Sequence, residues 1–162
     1  MASNRPERAA PMDDKYAINV AKTIYREAHE QRDVEKLLSV FGTNGFTDMS
    51  AGQPSKYGQE ARTVLRDRAT QLFAEYTVRL NVIIIEVVIQ GETARDHGWH
   101  EWILTPRARG PAVRRRERYF ELWKREGDGT WRISLFLNNA DVPEQVGSSV
   151  SRWFMTEKPA SV

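Results

Sequence analysis

From Asp13 onward the apolar residues return every three or four positions. Ala17, Val20, Ala21, Ile24, Tyr25 and Ala28 share one face of a helix, with Asp13 or Asp14 placed to cap its start. The polar QRD at 31–33 breaks the pattern. Asp33 can cap a second, short helix whose apolar side is Val34, Leu37, Leu38 and Phe41, and Gly42 stands where helix-terminating glycines stand. GFTDM (45–49) is short enough for a strand, and SAGQPSKYG (50–58), punctuated by Pro54 and Gly58, reads as a loop. A third helix follows, with Ala61, Val64, Leu65, Ala69, Leu72, Phe73 and Tyr76 on its buried side.

After Tyr76 the period changes. TVRLNVIIIEVVIQ (77–90) is rich in β-branched residues and apolar on both faces in its middle, Ile83 and Ile85 on one and Val82 and Ile84 on the other. This predicts a strand covered on both sides. GE makes a turn, TARDHGWHEWILT (93–105) a second strand, PRARGPA a longer connection, VRRRERYFELWKR (113–125) a third strand, EGDG a tight turn, and TWRISLFLNN (130–139) a fourth. Strands joined by short turns form an antiparallel meander. The expected architecture is α+β: a cone-shaped fold with three N-terminal helices packed on a strongly curved antiparallel sheet, open at one end as a natural pocket. One domain is expected over 13–141, between a flexible leader at 1–12 and a C-terminal tail at 142–162 whose only large apolar pair is Trp153 and Phe154.

With 162 residues the chain can bury a real core without disulfide or metal support. It has no cysteine, which excludes disulfides, zinc–thiolate sites and a cysteine nucleophile. Twenty-four basic against 22 acidic residues give a formal charge of +2, too balanced to point to nucleic acid. The basic excess is local: Arg107, Arg109, Arg114, Arg115, Arg116 and Arg118 crowd one segment. It reads as a solvated strand face pairing with Glu86, Asp96 or Glu101, or as a basic rim that attracts an anion. No apolar run is long enough to span a bilayer. A cytoplasmic protein with neither cofactor nor membrane partner is expected.

RDHGWHEWILT (95–105) concentrates the candidate chemistry. On a strand, Asp96, His100 and Trp102 face one way and His97, Trp99, Glu101 and Ile103 the other. His97 and His100 therefore cannot hold one metal, and none is expected. Tryptophans in strands usually act as walls. An inward glutamate, Glu101 or Glu121, would need a partner or a raised pKa, and could serve as a general base.

The chain resembles the nuclear transport factor 2-like superfamily, which includes ketosteroid isomerases and SnoaL-like polyketide cyclases. The resemblance rests on AHEQRDVEKLLSVF, GFTDMSAGQPSKYGQEA, GETARDHG and YFELWKREGDGTWRI, and covers roughly Asp13 to Asp141. It implies the cone fold and a homodimer formed through the sheets. It places the isomerase tyrosine of the first helix at Tyr25, and the position of the catalytic aspartate at Met49, with Asp48 one residue before. A second oxyanion donor falls near Tyr119. Aligned through GETA, it turns His97, Trp99, Glu101 and Ile103 toward the cone. The expected ligand-binding set is Tyr25, Asp48, Met49, Trp99, Glu101, Tyr119, Phe136 and Asn138. The expected function is binding of a small, largely apolar organic molecule, with acid–base isomerase, cyclase or dehydratase chemistry as its extension. Tyr25 and Tyr119 would be the donors, and Asp48 or Glu101 the base. The alternative is a non-catalytic binding or dimerisation module, which a cone filled by Trp99, Phe136 and Met49 would favour.

Overall fold

The computed structural model describes residues 13–141; the expected leader and tail, with Trp153 and Phe154, lie outside the described residues. Helix α1, Asp14–Gln31, starts where the Asp13 side chain accepts the Lys15 backbone N–H at 3.0 Å. It ends at Arg32, in the left-handed conformation with φ of 58°. Asp33 then caps α2, Val34–Leu38, by accepting from Lys36 N at 2.9 Å. Strand β1, Phe46–Ser50, and the two-residue β2, Lys56–Tyr57, precede α3, Gly58–Glu75. β2 lies within the segment that reads as loop in the sequence, and pairs Thr47 with Tyr57 and Asp48 with Lys56. α3 runs without a break into β3, Tyr76–Gln90, which begins the meander of β4, Thr93–Pro106, β5, Val113–Arg125, and β6, Trp131–Ala140. The sheet order is β2-β1-β6-β5-β4-β3, with β1 parallel to β6 and every other pair antiparallel. This is the α+β architecture expected from the sequence.

The long apolar run of β3 has a different meaning from the expected one. A β-bulge between Ile84 and Glu86 shifts the register and leaves Ile85 without a pairing partner. Val78, Leu80 and Val82 face the core before the bulge, Val87 and Ile89 after it, and Ile85 is 52% exposed. Much of the apparent two-faced apolarity is thus one buried face whose parity switches midway. The bulge also bends the strand. It sits against Gly98 on β4, where an added Cβ would lie 1.9 Å from the Ile83 carbonyl oxygen, so only glycine fits.

The buried stripe of α1 is Ile18, Ala21, Lys22, Tyr25, Ala28 and His29. Two of these are polar, and Lys22 reaches the middle of the sheet. Its ammonium lies 2.6 Å from Glu121 Oε2 on β5 and 3.3 Å from Asp96 Oδ2 on β4. Asp96 also accepts from Trp123 Nε1 at 2.8 Å and Tyr119 Oη at 3.0 Å. All three charged groups are at most 3% exposed. One cation cannot balance two anions, and burial pushes the Glu121 carboxyl well above the usual range, so Glu121 holds a proton and the cluster is neutral. Two substitutions separate these roles in chemical denaturation. Lys22→Met strands the Asp96 charge and should cost about 3–5 kcal/mol. Glu121→Gln, a neutral isostere, should stay within about 1 kcal/mol of wild type.

Candidate functional site

The helices stand away from the sheet at one end and leave a cavity of ≈ 290 Å³. Its apolar walls are Leu37 of α2, Phe41, Phe46 of β1, Leu65 and Leu72 of α3, and Phe136 of β6. Polar groups enter from every side. Tyr25 and His29 come from α1, Asp48 from β1, Arg68 from α3, Glu117 from β5 and Asn138 from β6.

Tyr25 stacks on the His100 ring with centroids 5.3 Å apart. No described residue hydrogen-bonds its hydroxyl. Burial, reinforced by the charge of Glu117, pushes its pKa well up, so the phenol keeps its proton and remains a donor. One turn along α1, His29 Nδ1 lies 2.8 Å from the Tyr25 carbonyl oxygen. A carbonyl only accepts, so Nδ1 carries the proton and Nε2 is bare. Burial lowers the His29 pKa to about 4 and keeps the ring neutral.

The carboxylates are held differently. Asp48 Oδ1 accepts from Ser50 N at 3.0 Å and from the Ser50 hydroxyl. Its Oδ2 lies 3.2 Å from Arg68 Nη1, within ion-pair range but not aligned for a hydrogen bond. Arg68 spends that nitrogen on Gln53 Oε1 at 2.8 Å. Glu117 Oε2 accepts from Trp102 Nε1 at 3.1 Å and Asn138 Nδ2 at 2.9 Å, while Asn138 Oδ1 accepts from Ala51 N at 3.0 Å. Asn138 and Glu117 are thus tied into the walls, whereas Tyr25 Oη, His29 Nε2 and Asp48 Oδ2 retain unused capacity.

No protein-family model and no curated protein matches the sequence. Solved structures do. A ketosteroid isomerase-like protein from Erwinia carotovora atroseptica superposes with a TM-score of 0.68 at 18% identity, over 82% of this chain and 99% of that one. A proposed dehydratase of the nuclear transport factor 2-like family from Streptomyces avermitilis gives 0.67 at 19% identity, over 82% and 99%. The fold is nuclear transport factor 2-like. A hexachlorocyclohexane dehydrochlorinase from Novosphingobium barchaimii shares it, with a TM-score of 0.64 at 12% identity over 79% of this chain and 86% of that one. No described helix is long and apolar enough to cross a membrane.

Within this nuclear transport factor 2-like cone, Tyr25, Asp48, Phe136 and Asn138 border the cavity. Tyr119 does not; it lies behind His100, stacked on it at 4.3 Å, with its hydroxyl given to Asp96. Two register expectations are corrected. The ungapped match puts the aspartate position at Met49, but Met49 is 41% exposed and Asp48 only 3%. Alternation along β1 therefore makes Asp48 the inward residue. On β4 the expected inward set is reversed: Ala94, Asp96, Gly98, His100, Trp102 and Leu104 are buried, and His97, Trp99, Glu101 and Ile103 lie on the outer face. Asp96 can face inward because α1 meets it with Lys22, and His100 does so as a flat ring stacked between Tyr25 and Tyr119. On the outside, Trp99 is covered by the Arg116 guanidinium at 4.4 Å, and Glu101 accepts from Asn81 at 3.1 Å. Trp99 and Met49 do not fill the cone.

Sequence reading missed His29, Arg68 and Glu117. Each had a signal. His29 follows Tyr25 by four on the apolar stripe, Arg68 lies between Leu65 and Leu72 on α3, and Glu117 shares strand parity with Tyr119 and Glu121. His29 also makes stability pH-dependent. Its folded pKa of about 4 lies below the ordinary 6.5, so as pH falls the unfolded chain takes up the proton first and the folded state loses ground. Between pH 7 and 5 this should cost about 2 kcal/mol. In denaturant titrations at the two pH values, His29→Phe should shrink the wild-type difference by that amount.

Proposed function

We propose that this protein binds a small, largely apolar organic molecule in the cone and moves a proton on it without a cofactor. The observation that supports this reading is that Asp48 and Tyr25 line one cavity, the first with an oxygen that has no directed hydrogen bond, though it is shielded beside Arg68 until a ligand displaces that side chain, the second as a phenol that stays protonated. Asp48 Oδ2 would take a proton from carbon next to a carbonyl-type oxygen, while Tyr25 Oη donates to that oxygen as charge develops on it. The walls of Phe41, Phe46, Leu65 and Phe136 keep water from competing. Isomerisation, cyclisation and dehydration all contain such a step. The names of the solved structures sharing the fold, isomerase-like, dehydratase and dehydrochlorinase, support this reaction class.

The rival is a non-catalytic binding module. A ligand identified by native mass spectrometry of the purified protein would separate the two when incubated in D₂O. Wild type should incorporate deuterium at carbon, and Asp48→Asn should lose that exchange while still binding. Exchange undiminished in Asp48→Asn would remove Asp48 as the base, and no exchange in wild type would leave the binding module. Tyr25→Phe should weaken ligand affinity about fivefold to twentyfold with the melting temperature nearly unchanged. A loss of about 1 kcal/mol in stability with unchanged affinity would make its hydroxyl a core group instead.

We also propose self-association through the outer sheet face. Ile85 and Leu122 are 52% and 37% exposed there, beside the half-buried Trp99, Phe120 and Leu137. Light scattering at micromolar concentration should give twice the chain mass, and Ile85→Arg should return the monomer.

A further inference from the structure

His29 borders the cavity rather than merely filling the core. Both nitrogens of His100 are sealed from solvent and from partners. His29 is different: its ring borders the cavity, Nδ1 is engaged by the Tyr25 carbonyl, and Nε2 is neither bonded to a described residue nor sealed. A bare imidazole nitrogen at a cavity wall accepts one hydrogen bond and offers none. Its neutrality is maintained by burial. The rings around it set the shape it presents. Tyr25 tilts against it at 4.6 Å, Trp102 meets it edge-on at 5.0 Å and Phe73 edge-on at 5.7 Å. The acceptor therefore stands in an aromatic collar, suited to a flat ring.

We propose that His29 is the specificity residue of the cone, its Nε2 accepting a hydrogen bond from an O–H or N–H on a neutral aromatic ligand. This rests on the cavity being the ligand site, and it names the class that site takes. Of the other wall acceptors, Glu117 Oε2 is engaged by Trp102 and Asn138 and Asn138 Oδ1 by Ala51 N, while Asp48 Oδ2 is sealed from solvent beside Arg68. A molecule without a donor leaves Nε2 buried and unpaired; one with a donor satisfies it. Tyr25 Oη, one helical turn away, offers the complementary donor, so α1 alone can orient a ring that carries both kinds of group.

Indole and 1-benzothiophene test this, being similar in shape and differing in the ring N–H. By titration calorimetry, wild type should bind indole about fivefold to tenfold more tightly. His29→Phe should abolish the preference while changing 1-benzothiophene affinity by less than about twofold. A preference that survives in His29→Phe, or none in wild type, would overturn the proposal and leave the cavity as a binding site. Binding of neither probe would count against the cavity reading and take the His29 proposal with it. Long-range ¹H–¹⁵N spectra of the wild-type imidazole give an answer independent of any probe and of how well the variant folds. A bare Nε2 and protonated Nδ1 are expected, and a protonated Nε2 would overturn the proposal.

Discussion

The structure depends on an ammonium buried between the Asp96 carboxylate and the protonated Glu121 carboxyl. Lys22 joins α1 to β4 through Asp96 and to β5 through Glu121, and each contact spans more than seventy residues of chain. Lifting α1 from the sheet would leave these groups without partners in an apolar interior, a cost far above that of losing ordinary side-chain contacts. The helix is therefore fixed in rotation as well as position. Apolar residues alone would tolerate a slip of the stripe; a charge with two fixed partners does not. Tyr25 and His29, three and seven residues further along, are aimed into the cavity by the same constraint.

The polar groups of the site fall into two kinds. Those of β5 and β6, Glu117 and Asn138, satisfy one another and the end of β1, and hold the mouth of the cone in shape. Those left over come from α1, which packs over the sheet, and from β1, the strand beside β6. The protein thus separates the groups that build the wall from those that can act. Tyr119 belongs to neither kind: it lies behind His100, away from the cavity, and gives its hydroxyl to Asp96.

Most of the fold was legible in the sequence. The helical stripes, the change of period at Tyr76 and the short turns before β4 and β6 sufficed for the element order. The faces of the strands were less so. Along β4 both faces carry large aromatic and ionisable side chains, so composition did not choose between them. The choice was made by Lys22, seventy-four positions earlier, whose place on the stripe of α1 was visible while its partners were not. A one-residue displacement on β1 likewise exchanged Asp48 for Met49, and the bulge at Ile85 made one buried face of β3 look like two. Strand parity is a global property, and a bulge or a distant charge resets it where local pattern is silent.

The direct junction of α3 and β3 bears on how a molecule reaches the cone. Glu75 ends the helix and Tyr76 begins the strand, with no linker residue to absorb a change of backbone angle. α3 cannot swing outward without carrying β3 and the meander with it, so Arg68, Leu65 and Leu72 form a fixed wall. The adjoining margin is the segment 51–55, which brings Ala51 and Gln53 to the rim and contains Gly52 at a φ of 75°. Two hydrogen bonds fasten that margin, Ala51 N to Asn138 Oδ1 on β6 and Arg68 Nη1 on α3 to Gln53 Oε1, so any opening of the cavity there has to break them.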